Sequence, residues 1–219
     1  MLNEDQIIEE LLLLNSSIVH DALRTKKLFN QTLPHEIKPL LYENKVVGKI
    51  WTLSGKLKPD ADIDETLLSW TNFLSNVEEN SVIVCQSNNN SIALMGELSA
   101  EVLKLKGVRG YITDAGCRDV TRIKSEIKLP VYCSYNTPKD VAERWIVNEM
   151  GTSIKIGEVN INTGDYIIAD EDGIVIIPKN IIFNVINRAK EDLRSENKMR
   201  DAILNGIDPK EAYLKYRKF

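Results

Sequence analysis

The sequence predicts a single mixed α/β domain. Three observations carry that prediction: a strand–helix–strand alternation through the middle of the chain, a hairpin signal in the last third, and amphipathic helical segments at both ends. A chain of 219 residues with 43% hydrophobic content can bury one full core. No repeat, low-complexity tract or linker divides it, so residues 1–219 are expected to form one domain, with N-terminal helices over 1–30 and a C-terminal helix over 180–206.

The elements follow in order. Asn3 is a plausible N-cap with Gln6 three residues on, a capping-box arrangement, and Ile7, Ile8, Leu11 and Leu12 then recur at helical spacing. Ser16 or Ser17 is expected to cap a second helix carrying Val19, Ala22 and Leu23. From Lys45 to Leu53 the pattern is that of a strand, with Val47 and Trp51 on one face and Val46 and Ile50 on the other. Asp62 or Asp64 starts a helix holding Leu67, Leu68, Trp70, Phe73 and Leu74. Ser81 to Cys85 reads as a short buried strand and Gln86 to Ser91 as a polar turn. A helix bearing Leu94, Leu98, Val102 and Leu105 stops at Gly107, where a C′ glycine is expected. Val108 to Thr113 and Pro130 to Tyr135 return as strands, which suggests a βαβ unit. Ser153 to Val159 alternates as a strand, and Asn162 to Asp165 is a turn. Tyr166–Ala169 and Ile174–Ile177 flank the hairpin signal Asp170-Glu171-Asp172-Gly173. A long helix from about Asn180 to Leu204 ends at Gly206.

Charge and composition exclude several classes of function. Lysine and arginine number 28 against 32 acidic residues, a net charge of −4, without the clustered basic excess that nucleic-acid binding requires. The short basic stretches Arg24–Lys27 and Lys215–Lys218 read as solvated surface. Met1 to Asp5 is acidic where a signal peptide would be basic, and no apolar run approaches the ~20 residues of a membrane span. Cys85, Cys117 and Cys133 lack metal-ligand spacing and suit reduced thiols, so a cytoplasmic protein is expected. With only His20 and His35 available, a bound metal would rest on carboxylates. That favours Mg²⁺ or Mn²⁺.

Two stretches could carry chemistry. Gly96-Glu97 falls at or near a helix start, where free N–H groups and the positive dipole end suit a carboxylate and glycine lets a ligand approach the backbone. The alternative is plain packing, with Gly96 a tight contact and Glu97 a first-turn acid. Asp114-Ala115-Gly116-Cys117-Arg118-Asp119 follows the Val108–Thr113 strand, the end at which ligands of α/β sheets collect. Arg118 offers a planar fork for an oxyanion and Asp119 a hard oxygen ligand. An adjacent Arg-Asp pair alone is commonly structural.

In order along the chain, Gly96-Glu97-Leu98, Gly107-Val108-Arg109-Gly110, Asp114 through Asp119 and Leu129-Pro130-Val131 make Ile92–Asp140 resemble the RraA-like family (regulator of ribonuclease activity A), which includes the 4-hydroxy-4-methyl-2-oxoglutarate aldolases. Weaker echoes are Asp21-Ala22-Leu23, Gly164-Asp165, Ala169-Asp170 and Asp172 through Pro178. The resemblance implies a three-layer β/β/α fold with helical extensions, assembled as ring-shaped homotrimers or stacked homohexamers. It implies Asp119 as the Mg²⁺ or Mn²⁺ ligand, Arg118 on the 2-oxo group of a pyruvyl unit, and Glu97 ordering metal-bound water. Backbone N–H groups at Gly96, Glu97 and Leu98 would hold the substrate carboxylate. An acid from a neighbouring subunit's C-terminal helix would join them, for which Glu196 is the candidate by position.

The activity so implied is a metal-dependent lyase that cleaves a 4-hydroxy-2-oxo acid to pyruvate, with oxaloacetate decarboxylation through the same electron sink. Two departures stand out. Arg122 occupies the position, three residues after the aspartate, where the family's enzymes carry an acid, and the order Asp114-Ala115-Gly116 differs from the family's aspartate-glycine. Arg122 favours the alternative reading, a non-catalytic ring-shaped regulator that binds a ribonuclease or another protein partner. A methyltransferase lacks a glycine-rich strand–loop–helix to support it. Cys117 beside Arg118 is expected to pack rather than react, and His20-Asp21 to make a helix-end or subunit contact. Asp170 to Asp172 reads as a turn rather than a calcium loop, and Trp51, Trp70 and Trp145 as core or interface residues.

Overall fold

Asn3 and Gln6 form the expected capping box, each side chain accepting from the other's backbone N–H at 2.9 Å, and α1 (Glu4–Leu12) follows. The computed structural model describes residues 2–41 and 45–218; Met1 and Phe219, the ends of the expected domain, lie outside them. The second cap is Asn15 rather than Ser16 or Ser17, its side chain accepting from the Ile18 N–H at 2.8 Å. Ser16 is committed elsewhere. Its N–H and hydroxyl both donate to Asp170, at 2.7 and 2.5 Å, which ties α2 (Ser16–Arg24) to a distant turn.

The remaining elements are β1 (Lys38–Pro39), β2 (Val46–Leu57), α3 (Ile63–Asn76), β3 (Val82–Gln86), α4 (Glu97–Leu105), β4 (Gly110–Thr113), β5 (Gly116–Cys117) and α5 (Val120–Arg122). A π-helical turn, Ile123–Ile127, continues α5. Then come β6 (Val131–Cys133), β7 (Tyr135–Asn136), β8 (Trp145–Met150), β9 (Ile154–Ile156), β10 (Val159–Ile161), β11 (Tyr166–Ala169) and β12 (Ile174–Ile177). A 3₁₀ turn at Lys179–Ile181 leads into α6 (Ile182–Leu204) and α7 (Pro209–Tyr216). The main sheet runs β1-β6-β4-β3-β2-β11-β12. Its centre β2-β3-β4-β6 is parallel, and β1, β11 and β12 pair antiparallel. The long strand β2 serves two partners on one edge. Val46 to Lys49 pair with β11, and Leu53 to Leu57 pair with β8 across a register shift at Ser54/Gly55.

Alternation along β2 sorts its side chains between layers. Trp51 and Leu53 pack with Trp70 and Phe73 of α3 and Leu103 of α4. Val46 and Ile50 face the opposite way, against Ile154 to Ile161 of the β9–β10 hairpin and Ile167, Ile174 and Ile176. The outer side of β11–β12, through Tyr166, Ile168 and Ile177, packs on α1, α2 and α6. Helices therefore cover the outer sides of a mixed sheet that curls around the apolar side chains of its inner face and the β9–β10 hairpin.

Several segments differ from expectation, among them β1, β8 and the α5 turn, which no sequence pattern pointed to. The helix around Leu98 begins only at Glu97, so Leu94 falls in the loop before it. Ala100 and Leu103 set its buried face, leaving Leu98 70% and Leu105 88% exposed. The alternating run Ser153–Val159 is two strands, because Gly157 at φ +58° turns the chain between β9 and β10. Finally, α7 was not anticipated, although Asp208 caps it ahead of Pro209 at its first position, a signal the sequence carries.

Candidate functional site

Three loops leave the carboxyl ends of β3, β4 and β6 and are laced together by backbone bonds. Gly116 donates to Ile92 O at 3.1 Å, Leu94 to Gly116 O at 2.9 Å, and Arg118 to Met95 O at 2.9 Å. From the third loop Thr137 donates to Cys117 O at 3.1 Å, while Ala93 donates to Lys139 O at 2.8 Å. The parallel pair β5–β7 completes the lacing. Gly96, Arg118 and Asp119 thus stand on mutually fixed backbone.

Gly96 is the N-cap of α4, with φ −147° and ψ 177° and no side-chain cap bond. That backbone is open to any residue, so the glycine is required for space. A Cβ there would lie 2.9 Å from Asp119 Oδ2 and 3.0 Å from Arg118 Nε. Asp119 adopts the left-handed region at φ 54°, which short polar residues tolerate best. Its Oδ2 accepts from the Glu97 N–H at 3.2 Å and lies 3.4 Å from Arg118 Nε. The first turn of α4 therefore already holds a carboxylate, that of Asp119. Arg118 Nη1 donates to Asp140 Oδ2 at 3.1 Å. Arg118 and Asp119 line a cleft of about 320 Å³ with Cys117, Val120, Asn136, Thr137 and Pro138.

Glu97 is brought beside this cluster, but its side chain is engaged. Arg122 donates through Nη1 to Glu97 at 3.1 Å and through Nε to Glu126 at 3.2 Å, and its Nη2 lies 3.1 Å from Glu101. These bonds, first with Glu97 and then with Glu126, hold the exposed guanidinium above its usual pKa. Three guanidinium groups (Arg118, Arg122, Arg144) thus face five carboxylates (Glu97, Glu101, Asp119, Glu126, Asp140), which leaves two negative charges in excess. Among the described residues no three potential His, Cys, Asp or Glu ligands converge on one point.

Other sequence candidates fall into supporting roles. Asp114, pushed up by burial, accepts from the Ser87 N–H at 2.7 Å and joins two of the loops. Arg118 does not activate Cys117. The contact with Cys133 and then burial raise the Cys117 thiol. Asp21 pairs with Arg24 at 3.0 Å and Lys218 at 2.7 Å rather than acting with His20, whose Nδ1 meets the Thr32 hydroxyl at 3.4 Å. Glu196 sits on α6, in the terminal-helix layer, 3.5 Å from Lys218 Nζ, so its own chain does not bring it to Arg118. Asp140 was missed. It lies 22 residues beyond Arg118 in a loop with no motif of its own, and only the folded lacing pairs the two.

The comparisons bear on the same stretch. A protein of Methanocaldococcus jannaschii whose name assigns no activity is 31% identical over 173 residues, 78% of this chain and 80% of its own. A protein of Halalkalibacterium halodurans, named by inference as a 4-hydroxy-4-methyl-2-oxoglutarate aldolase, is 25% identical over 183 residues, 83% of each chain. Protein DlpA of Legionella pneumophila is 26% identical over 96% of this chain, which spans only 34% of DlpA's length. The crystal structure of Streptomyces coelicolor RraAS2, described as an unusual member of the RNase ES inhibitor RraA family, superposes with a TM-score of 0.78. It is 23% identical and covers 89% of this chain and 96% of its own. The family model described as RraA-like, Aldolase/RraA, matches residues 16–176, which include every strand but the last residue of β12 and every member of the Gly96–Asp140 cluster. The chain belongs to the RraA-like family.

Proposed function

We propose that the chain is a divalent-metal-dependent lyase that releases pyruvate from a 4-hydroxy-2-oxo acid, with oxaloacetate decarboxylation as a second outlet of the same site. The observation that carries this reading is the convergence of Arg118 and Asp119 on Gly96, where a Cβ would lie about 3 Å from both side chains, on fixed backbone. The relative named as an aldolase supports it.

A hard cation fits the donor set. Mg²⁺ and Mn²⁺ can be held by one or two carboxylates with water and ligand oxygens completing the shell, and the excess of two negative charges favours a cation before an anionic substrate. Asp119 would hold it. When bound, the cation supplies Lewis-acid stabilisation of charge on the substrate's oxygens. This chain's own contribution is Arg118. As the C3–C4 bond breaks, its electrons move to the 2-oxo oxygen, the C4 hydroxyl gives its proton to water as C4 becomes a carbonyl, and C3 of the enolate takes a proton back from water to give pyruvate. A guanidinium aimed at that oxygen favours the charged state over the ketone. Loss of CO₂ from oxaloacetate sends electrons to the same atom. Gly96 leaves room for the Arg118 and Asp119 side chains to stand against the helix start. In a trimeric or hexameric ring, Glu196 of a neighbour would add an acid. The three buried free thiols suit a cytoplasmic setting.

The test is pyruvate release from a panel of 2-oxo acids, measured by a coupled assay with and without Mn²⁺. Arg118→Ala and EDTA should each remove most turnover, about 10²-fold or more for the arginine. Activity that survives both would sink the proposal. A second reading, a non-catalytic regulator of a ribonuclease or other protein partner, draws on one observation: Arg122 clamps Glu97. No Mn²⁺-dependent pyruvate from any panel member, together with direct binding of a purified ribonuclease, decides for it.

A further inference from the structure

The structure assigns Asp140 as the positioning residue of Arg118, the carboxylate that aims its guanidinium into the cleft. Nothing in the Arg118-Asp119 motif points to it, and the fold alone brings the two together. The inference rests on the role given above to Arg118 as the group that meets developing oxyanion charge.

Asp140 is built to hold still. Its Oδ1 accepts from the Ala142 N–H at 3.2 Å, and Arg144 Nη1 lies 3.5 Å from the same oxygen. The residue before it is tied by the Ala93 N–H to Lys139 O bond at 2.8 Å. Three residues back, the Thr137 N–H binds Cys117 O at 3.1 Å, next to Arg118 itself. The segment carrying Asp140 is thus laced to the segment leading into Gly96 and to the segment carrying Arg118. From that fixed point Oδ2 accepts from Arg118 Nη1 at 3.1 Å, while Asp119 Oδ2 stands 3.4 Å from Nε. Held near Nε and at Nη1, a planar guanidinium has little freedom to rotate. Its Nη2 group makes no bond with the described residues and stays available to a ligand.

Removing the Asp140 charge has two opposed effects. Arg118 becomes less neutralised, which favours any anion. It also loses its aim, which matters most where charge must be met at one position. Ground-state binding of a 2-oxo acid should therefore change little, whereas recognition of an enolate-like dianion, and catalysis, should fall.

The experiment compares wild type, Asp140→Asn, Arg118→Ala and the double variant, each with Mn²⁺ present. Asp140→Asn keeps the shape and the acceptor for Ala142, so folding is conserved and thermal melting checks it. Binding of pyruvate and of oxalate, a planar dianion resembling pyruvate enolate, is measured by calorimetry, and kcat and KM on the best panel substrate. The expected result is an oxalate Kd about tenfold weaker in Asp140→Asn with a pyruvate Kd within about threefold of wild type. Where turnover exists, kcat should fall about tenfold at nearly constant KM. In the Arg118→Ala background, Asp140→Asn should add nothing, because it acts through that arginine.

Equal weakening of oxalate binding by Asp140→Asn with and without Arg118 overturns the proposal, as does unchanged oxalate binding. A wild-type protein that turns over no 2-oxo acid yet binds oxalate through Arg118 refutes the lyase reading. The binding measurements then decide Asp140 on their own. A wild-type protein that binds no oxalate overturns both.

Discussion

Replacing Gly96 by alanine separates a site built for space from a glycine that serves only the helix end. The backbone there is extended, so alanine meets no conformational penalty. Gly96 also contributes no cap bond, and the difference between glycine and alanine at an N-cap is about 0.5–1 kcal/mol. For a chain of this size that is a fall in Tm of about 1–4 °C. The new methyl, however, would stand 2.9 Å from Asp119 Oδ2, 3.0 Å from Arg118 Nε and 3.1 Å from Arg118 Cγ, where ordinary contact begins at 3.4 Å. The main chain has little room to retreat, since Arg118 N–H is bonded to Met95 O and Asp119 O accepts from Ile123 N–H at 3.2 Å. The two side chains must therefore move by roughly half an ångström, on a scale where about 1 Å can cost 10²-fold in rate. Gly96→Ala is expected to lose at least about tenfold in kcat/KM for pyruvate release, about 1.4 kcal/mol of transition-state stabilisation, while melting almost as wild type. A variant with normal kcat/KM and normal oxalate affinity would refute the reasoning, because the closeness of Gly96 to the Arg-Asp pair would then have no bearing on function.

Three further outcomes are expected. Arg122→Ala releases Glu97, so if that acid serves the cation, the Mn²⁺ concentration giving half-maximal activity should drop several-fold; an unchanged Mn²⁺ titration removes Glu97 from that role. Gly55→Ala drives a methyl into the Trp145 ring and the Ile146 carbonyl at the β2–β8 register shift. Overpacking of this kind costs about 1–3 kcal/mol, and calorimetry should show Tm lower by about 2–12 °C. Burial pushes the Cys85 thiol from 9.0 up to about 12, so the unfolded chain gives up this proton first. The stability tied to Cys85 is complete below pH 9 and declines between pH 9 and 12, and Cys85→Ala should flatten that part of a stability-versus-pH curve.

The fold was legible where local chemistry and global packing agree. The Asn3–Gln6 capping box, the alternation of Val46, Val47, Ile50 and Trp51 over two faces, and the Tyr166–Ile177 hairpin are each stated by short-range pattern. The core then keeps what the pattern proposes. Legibility failed where two patterns shared the same residues. Leu94, Leu98, Val102 and Leu105 have helical spacing, yet Gly96 starts the helix late and Ala100 and Leu103 fill the narrow space against the sheet, so the larger leucines Leu98 and Leu105 turn outward. Ser153 to Val159 alternates correctly on both sides of a turn that only the positive φ of Gly157 reveals.

The site divides along the same line, and its residues are those that break local rules. Gly96 caps a helix without a cap bond, Asp119 takes a left-handed conformation, and Glu97 gives its N–H to another side chain. Gly96-Glu97 and Arg118-Asp119 could be named as candidates because each pair is contiguous and sits where a strand or loop meets a helix. Asp140 and the Arg122 clamp could not be placed, since their partners lie 22 and 25 residues away and depend on loops laced only in the folded chain. Those two unseen contacts decide the electrostatics. Without them the motif offers one arginine and one aspartate, a neutral pair that an anion could approach directly. With them the cluster holds two more carboxylates than guanidiniums, the whole excess lying around Arg122, while Arg118 and Arg144 balance Asp119 and Asp140. A divalent cation held by Asp119, as proposed, would offset that excess and compete with Arg118 for the Asp119 carboxylate. Under the proposed function, metal and 2-oxo acid are then expected to favour each other's binding by linkage, which oxalate affinity measured against Mn²⁺ concentration would show.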